Sequence, residues 1–359
     1  MTRAVSLIYA EIRSCGNVMA NERLCGTDVF RIHLPDAVGE CLRREFKQVS
    51  EEEDDLESLL ARLVQSSSKI PLDILKCVLQ MRAAPFAPSA LLLTGMPIDE
   101  DLPPTPTEIV PGPIKSGRIS ESSILFVAVL LGEPIAYAAE KEGALVQNVF
   151  PIKAEQNSPS NESSAVPLAF HTEIPYSRAA PDQSFDRGAP DFVLLLGLRS
   201  RPGGWATTSV IDAGDLCRRL DRRHLAALKE PQFQLRAPYS FTNHGTADRP
   251  WSDPLALIRG PLVAPWIVFD IACGVRGLSL EAEKALTALA TVCADPALQR
   301  GVRLGPGDLL VIDNKRCAHA RSAYEACFDG QDRWLQRAYV RRDIRMLTSE
   351  TATSFRVLA

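Results

Sequence analysis

Two histidines, one glutamate and two arginines stand out by type and spacing. His171-Thr172-Glu173 closes a run with strand texture, Val166 to Glu173, in which the period of two sends His171 and Glu173 to one face and Thr172 to the other. An imidazole nitrogen and a carboxylate oxygen then converge from one short segment. Alone the triplet has little specificity: with five histidines and about one residue in eight acidic, an H-x-[DE] triplet arises by chance in roughly every second such sequence. His319 supplies the second half. It follows the apolar run Leu309-Leu-Val-Ile-Asp313 and precedes a loop leading into Arg333-Trp-Leu-Gln-Arg-Ala-Tyr339. There Arg333, Leu335, Arg337 and Tyr339 alternate onto one face. Two arginines projecting in one direction need anions to meet them, unless the face is simply exposed.

Two imidazoles and one carboxylate on one side of a metal leave three adjacent positions open, the arrangement of non-haem iron(II) oxygenases. A 2-keto acid can chelate two of these, dioxygen the third, and an arginine can pair bidentately with the distal carboxylate of the keto acid. The same donors suit zinc, so a zinc hydrolase and a non-catalytic metal- or small-molecule-binding scaffold stand as alternatives. No H-E-x-x-H helix is present, and two inward arginines have no evident task in hydrolysis. Ser66-Ser-Ser-Lys69 fits the S-x-x-K spacing but reads as a polar linker, and Cys317 as a buried inert thiol.

The elements that must position these residues fall into two halves. Residues 1–135 read as a mainly helical buttress: Glu51 to Val64, a second segment from Pro71 through Ile74, Val78 and Met81, and a third from Ser120 to before Gly132. Between them Leu102-Pro-Pro-Thr-Pro-Thr107 can be neither regular helix nor central strand, and reads as an extended connection. Residues 144–345 read as the core, with strands over Ala144 to Phe150, Val166 to Glu173, Phe192 to Arg199, Trp205 to Ile211, Pro265 to Phe269, Asp308 to Asp313 and Trp334 to Val340. Helical spacing recurs over Asp215 to Leu228 and Leu278 to Val292. Many strands with few helices between them favour a sandwich or barrel over alternating βαβ units. Loops near 174–190 and 239–253 have the length of lids, and His244 in the second could touch substrate.

With 359 residues, 46% hydrophobic and 23% charged, the chain can bury a substantial core. A net charge of −4 with dispersed Lys and Arg disfavours nucleic acid and anionic membrane as partners. The longest apolar run, Ile124 to Leu131, is too short to span a bilayer. Nine scattered cysteines without a C-x-x-C pair fit a reduced cytoplasm.

Several stretches, in order and spacing, carry a likeness to a known family: Leu102-Pro-Pro-Thr-Pro-Thr107, Leu130-Leu-Gly-Glu-Pro134, Phe170-His-Thr-Glu173, Asp191-Phe-Val-Leu-Leu-Leu-Gly-Leu-Arg199, Ala206-Thr-Thr208, and Ile312-Asp-Asn314 through Asp329-Gly-Gln-Asp-Arg-Trp334. Over most of its length the chain resembles the clavaminate synthase-like branch of the 2-oxoglutarate oxygenases, particularly its amino-acid hydroxylases such as the arginine β-hydroxylases of antibiotic pathways. The resemblance implies a single mixed α+β oxygenase domain, a double-stranded β-helix (distorted jelly roll) core with flanking helices. It implies Fe(II) on His171, Glu173 and His319, 2-oxoglutarate on Arg333 and Thr207, and O2 as oxidant. Arg337 matches the residue for the substrate's α-carboxylate, and Glu140 lies near a glutamine that contacts the amino acid. Asp270 alone stands where arginine hydroxylases carry an acidic pair, so arginine is not the expected substrate. Hydroxylation at the β or γ carbon of a free L-amino acid follows, with release of succinate and CO2. The metal glutamate that halogenases lack is present, while desaturation or cyclisation stays open.

Overall fold

The structure, a computed structural model, describes residues 29–53, 55–84, 87–110, 112–157, 163–174, 188–201, 203–237, 249–271, 274–345 and 355–358. The first part holds β1 (Phe30–His33), α1 (Asp36–Glu52), α2 (Leu56–Gln65), α3 (Leu72–Ala83), β2 (Ala90–Thr94), α4 (Ile119–Leu131), β3 (Glu133–Tyr137) and β4 (Val146–Val149). Next come β5 (Leu168–His171), β6 (Phe192–Arg199), β7 (Thr207–Asp212), α5 (Ala213–Arg219), α6 (Arg222–Leu228), β8 (Phe233–Leu235), β9 (Ile258–Arg259), β10 (Trp266–Ile267) and β11 (Val275–Gly277). The last part holds α7 (Leu280–Cys293), β12 (Arg300–Arg303), β13 (Leu309–Asp313), β14 (Cys317–Arg321), β15 (Trp334–Arg341) and β16 (Val357–Leu358).

Two sheets form the scaffold. The larger runs β1-β2-β13-β6-β15-β3-β16, with β4 also on β15; the smaller runs β12-β7-β14-β5. From β5 to β7 and again from β12 to β15, the chain passes back and forth between them. Leu310, Ile312, Val193, Leu335 and Tyr339 of the larger sheet meet Val210, Val302 and Cys317 of the smaller one in a shared core. The opposite face of the larger sheet packs Leu194, Leu196, Leu309, Val311 and Trp334 against α1 to α4. The smaller sheet turns Ile211 and Ala318 outward onto α5, α6 and α7. The site-bearing interior therefore lies between the sheets, walled by apolar layers on both outer sides.

Local chemistry explains the helix ends. The expected segment Glu51 to Val64 is two helices, because the Asp55 carboxylate accepts a hydrogen bond from Ser58 N at 2.9 Å and starts α2 anew. Pro71 stands just before α3, where a missing N–H costs nothing. Helix α4 is buried on nearly every side, its Ile124, Phe126, Val127 and Leu131 filling the space between the other helices and the sheet.

Three elements differ from expectation. The N-terminal half is not only a helical buttress: β2 lies inside the larger sheet against β13, and β1 lies parallel beside it. His319, for which no element was expected, lies inside a strand of its own, β14. The expected lid loops fall mostly outside the described residues, as does His244. Ser66 to Lys69 is a 3-10 turn in which Ser66 Oγ donates to Arg62 O, a structural role. Among the described residues no helix is long and apolar enough to cross a membrane.

Candidate metal centre and co-substrate pocket

His171 on β5 and His319 on β14 are direct register partners in the smaller sheet. Opposed residues of an antiparallel pair share a face, and the two imidazole centroids lie 4.2 Å apart. Glu173, two residues beyond His171, brings Oε2 to 3.7 Å from His171 Nε2 and 3.3 Å from His319 Nε2. The three ligand atoms all lie within 4.8 Å of one another, the one such group among the described residues. A metal about 2.1 Å from each donor wants neighbouring donors roughly 3 Å apart, close to the two carboxylate–imidazole separations seen here. Ala169 O engages His171 Nδ1 at 2.8 Å, which leaves Nε2 for a metal.

The electrostatics fit a cation. Burial alone would push the Glu173 carboxyl up, yet the Arg337 charge and the two imidazoles hold it well below the usual range. Burial works against a charged His171, but the Glu173 hydrogen bond and the Asp270 charge lift it to about 9. His319 is held down by burial and by His171. His171 thus carries a proton that a metal would displace.

Asn314 secures the ligand backbone. Its Oδ1 accepts from Glu173 N at 2.7 Å, while Nδ2 donates to Glu173 O and Pro190 O, each at 3.0 Å. Replacing Asn314 with Ala is expected to weaken metal binding roughly 10- to 100-fold, measured by titrating Mn(II) into apoprotein. Unchanged affinity would show that the rest of the sheet fixes Glu173 without it.

Glu173 Oε1 faces the larger sheet. It accepts from Arg337 Nη1 at 2.9 Å and from Tyr339 Oη at 2.8 Å. Arg337 also meets Gln147 Oε1 through Nε at 3.0 Å and Glu140 Oε2 at 3.4 Å, and Tyr339 Oη lies 3.1 Å from Glu140 Oε2. Glu140 therefore sits beside Arg337, and Arg337 beside Glu173. Asp270 is buried and bridges to His171 through the backbone.

Arg333 is nearly buried, and its Nη1 has no hydrogen-bond partner among the described residues. Burial lowers its pKa to about 10. Its Cζ lies 5.9 Å from the Tyr324 ring centroid, and on the same ring Arg321 Cζ lies at 5.2 Å. Arg321 is two residues from His319 on one face of β14, which puts this corner on the metal side of the sheet. The Pro-rich connection braces the loop before Arg333: Thr105 Oγ1 donates to Asp332 O at 2.8 Å, and Arg199 Nη1 donates to Thr105 Oγ1 at 2.8 Å and Gly330 O at 3.0 Å. Arg199 enters from β6 past Gly197, where a Cβ would lie 2.1 Å from Gly305 O.

Thr207 needs correcting. On β7 the register opposes Val210 to His319 and Thr208 to Arg321, so Thr208 shares the metal face and Thr207 the outer one. There Thr207 Cγ2 would touch a Cβ built on exposed Gly301, at 3.0 Å. Gln147, Asn314, Tyr324 and Thr208 were the site residues that sequence reasoning did not single out. Cys317 is buried in the inter-sheet core, where burial pushes its thiol up.

Comparison with known proteins points to one family. Residues 127–339 match the TauD, TfdA family of taurine catabolism dioxygenases. An L-asparagine oxygenase of Streptomyces coelicolor is 33% identical over 258 residues, 71% of this chain and 72% of that one. An L-lysine 3-hydroxylase of Catenulispora acidiphila is 33% identical over 255 residues, 70% of this chain and 67% of the other. A crystal structure of asparagine oxygenase with Fe(II), 2S,3S-3-hydroxyasparagine and succinate superposes with a TM-score of 0.79 at 27% identity, covering 92% of this chain and 99% of that one.

Proposed function

Because this chain belongs to the TauD/TfdA dioxygenase family, we propose that it is an Fe(II)- and 2-oxoglutarate-dependent hydroxylase of a free L-amino acid or close derivative, acting at the β or γ carbon. The observation that carries this reading is the convergence of His171, Glu173 and His319, with Arg337 against Glu173 and the buried Arg333 just before the same strand. The winding of the chain between its two sheets fits the double-stranded β-helix of the family.

His171, Glu173 and His319 would hold the iron. Bound there with 2-oxoglutarate and dioxygen, it supplies the oxidising chemistry, which yields succinate and CO2. The chain itself binds, orients and excludes water. Arg333 meets the distal carboxylate of 2-oxoglutarate, and its unfilled Nη1 is the donor that this anion needs. The threonine role belongs to Thr208. Thr208→Val is expected to raise half-saturation by 2-oxoglutarate about tenfold, with Thr207→Val leaving it unchanged; the reverse order in steady-state kinetics would restore Thr207.

Arg337 is suited to the α-carboxylate of the amino acid and Glu140 to its α-ammonium, since the two groups already face each other at 3.4 Å. Asp270, close to His171, offers one negative charge to a side chain. Succinate release measured across a panel of free L-amino acids, with mass spectrometry of products, tests the reading. One amino acid gaining one oxygen atom in step with succinate supports it. A gain of unsaturation instead would make the enzyme a desaturase, and no succinate from iron-loaded protein would remove the oxygenase reading.

A further inference from the structure

We propose that the Tyr324 hydroxyl is a second anchor for the distal carboxylate of 2-oxoglutarate, beside Arg333, with Arg321 as the positioning residue that holds its ring. The inference rests on the reading above and deepens it. Tyr324 Oη and Arg333 Nη1 are both buried hydrogen-bonding atoms with no partner among the described residues. Native interiors seldom leave one such atom unfilled, and two in one corner point to a shared missing partner.

That corner is built rather than incidental. The Tyr324 ring has Arg321 Cζ 5.2 Å and Arg333 Cζ 5.9 Å from its centroid. Arg321 is tied down in turn, its Nη2 donating to Ser164 O at 2.6 Å and Val166 O at 2.7 Å. Tyr324 N donates to Ala165 O at 3.2 Å, so the residue is held at backbone and ring while its hydroxyl stays unfilled. Burial raises the pKa of the phenol against the pull of the Arg333 and Arg321 charges, and so keeps it protonated.

The missing partner must accept from a guanidinium and a phenol together. A carboxylate does this with its two oxygens, one for each donor. A neutral acceptor would leave the Arg333 charge buried without a counter-ion. The clamp Ser164-Ala165-Val166 leads directly into β5 and His171, so the pocket and the metal ligands share one rigid support.

The test is calorimetric titration of anaerobic Mn(II)-loaded protein with 2-oxoglutarate and with 2-oxobutyrate, which keeps the keto acid but lacks the distal carboxylate. Tyr324→Phe is expected to raise Kd for 2-oxoglutarate roughly ten- to a hundredfold and to leave Kd for 2-oxobutyrate within about twofold. An unchanged Kd for 2-oxoglutarate would overturn the assignment, as would equal weakening of both keto acids, which marks a merely structural role. Wild-type protein that binds Mn(II) but no 2-oxoglutarate would overturn the proposed function along with it. Arg321→Leu should reproduce the selective loss in weaker form, and a loss falling equally on both keto acids would remove its positioning role.

Discussion

His319→Ala is expected to reduce iron-dependent succinate release to background and to weaken Mn(II) binding by at least about 100-fold. The imidazole is one of three candidate ligand atoms gathered within 4.8 Å among the described residues, and a site with two protein ligands holds a divalent first-row metal poorly. Its register partner His171 would keep its place in the sheet, so the fold should survive with circular dichroism unchanged. Wild-type succinate release from this variant would sink the metal assignment outright.

The second large effect separates Arg337 on β15 from Arg333, the residue just before that strand. Arg333→Ala is expected to raise half-saturation by 2-oxoglutarate, and Arg337→Ala that by the amino acid, each with little change in the other ligand. Removing a buried cation from a charged pair costs about 2–5 kcal/mol, which corresponds to roughly 30-fold up to several thousandfold. Arg337→Ala carries a side effect that Arg333→Ala does not. It takes the 2.9 Å partner from Glu173 Oε1 and so raises the Glu173 carboxyl toward its ordinary range, weakening metal binding at acid pH. Equal weakening of both ligands in both variants would show that the division of labour is wrong.

What could be read in the sequence was local. His171 and Glu173 two apart and the alternation of Leu335, Arg337 and Tyr339 follow from the period of a strand, and the continuous apolar runs of β6 and β13 from burial of both their faces. What could not be read depended on register between strands. Thr207 and Thr208 are alike as residues, and only the pairing of β7 with β14 tells which faces the metal. Asn314 grips Glu173 across 141 positions of chain, and Gln147 reaches Arg337 across 190. Strand β2 was missed because Leu91-Leu-Leu93 lies in a region of helical texture, and a run of leucines fits a buried strand and a buried helix equally well. The strand around His319 was missed because the small residues Ala318 and Ala320 give it no visible alternation.

One strand, β15, presents the Arg337 guanidinium hard against Glu173, a candidate metal ligand. With an α-carboxylate on Arg337, the protein measures its substrate from the carboxylate end as a ruler measures from its zero mark. Lengthening the side chain then moves the far tip of the molecule and leaves the carbon facing the metal unchanged. A series of straight-chain L-amino acids should accordingly be attacked at one fixed carbon counted from the carboxylate, whatever the length of the rest.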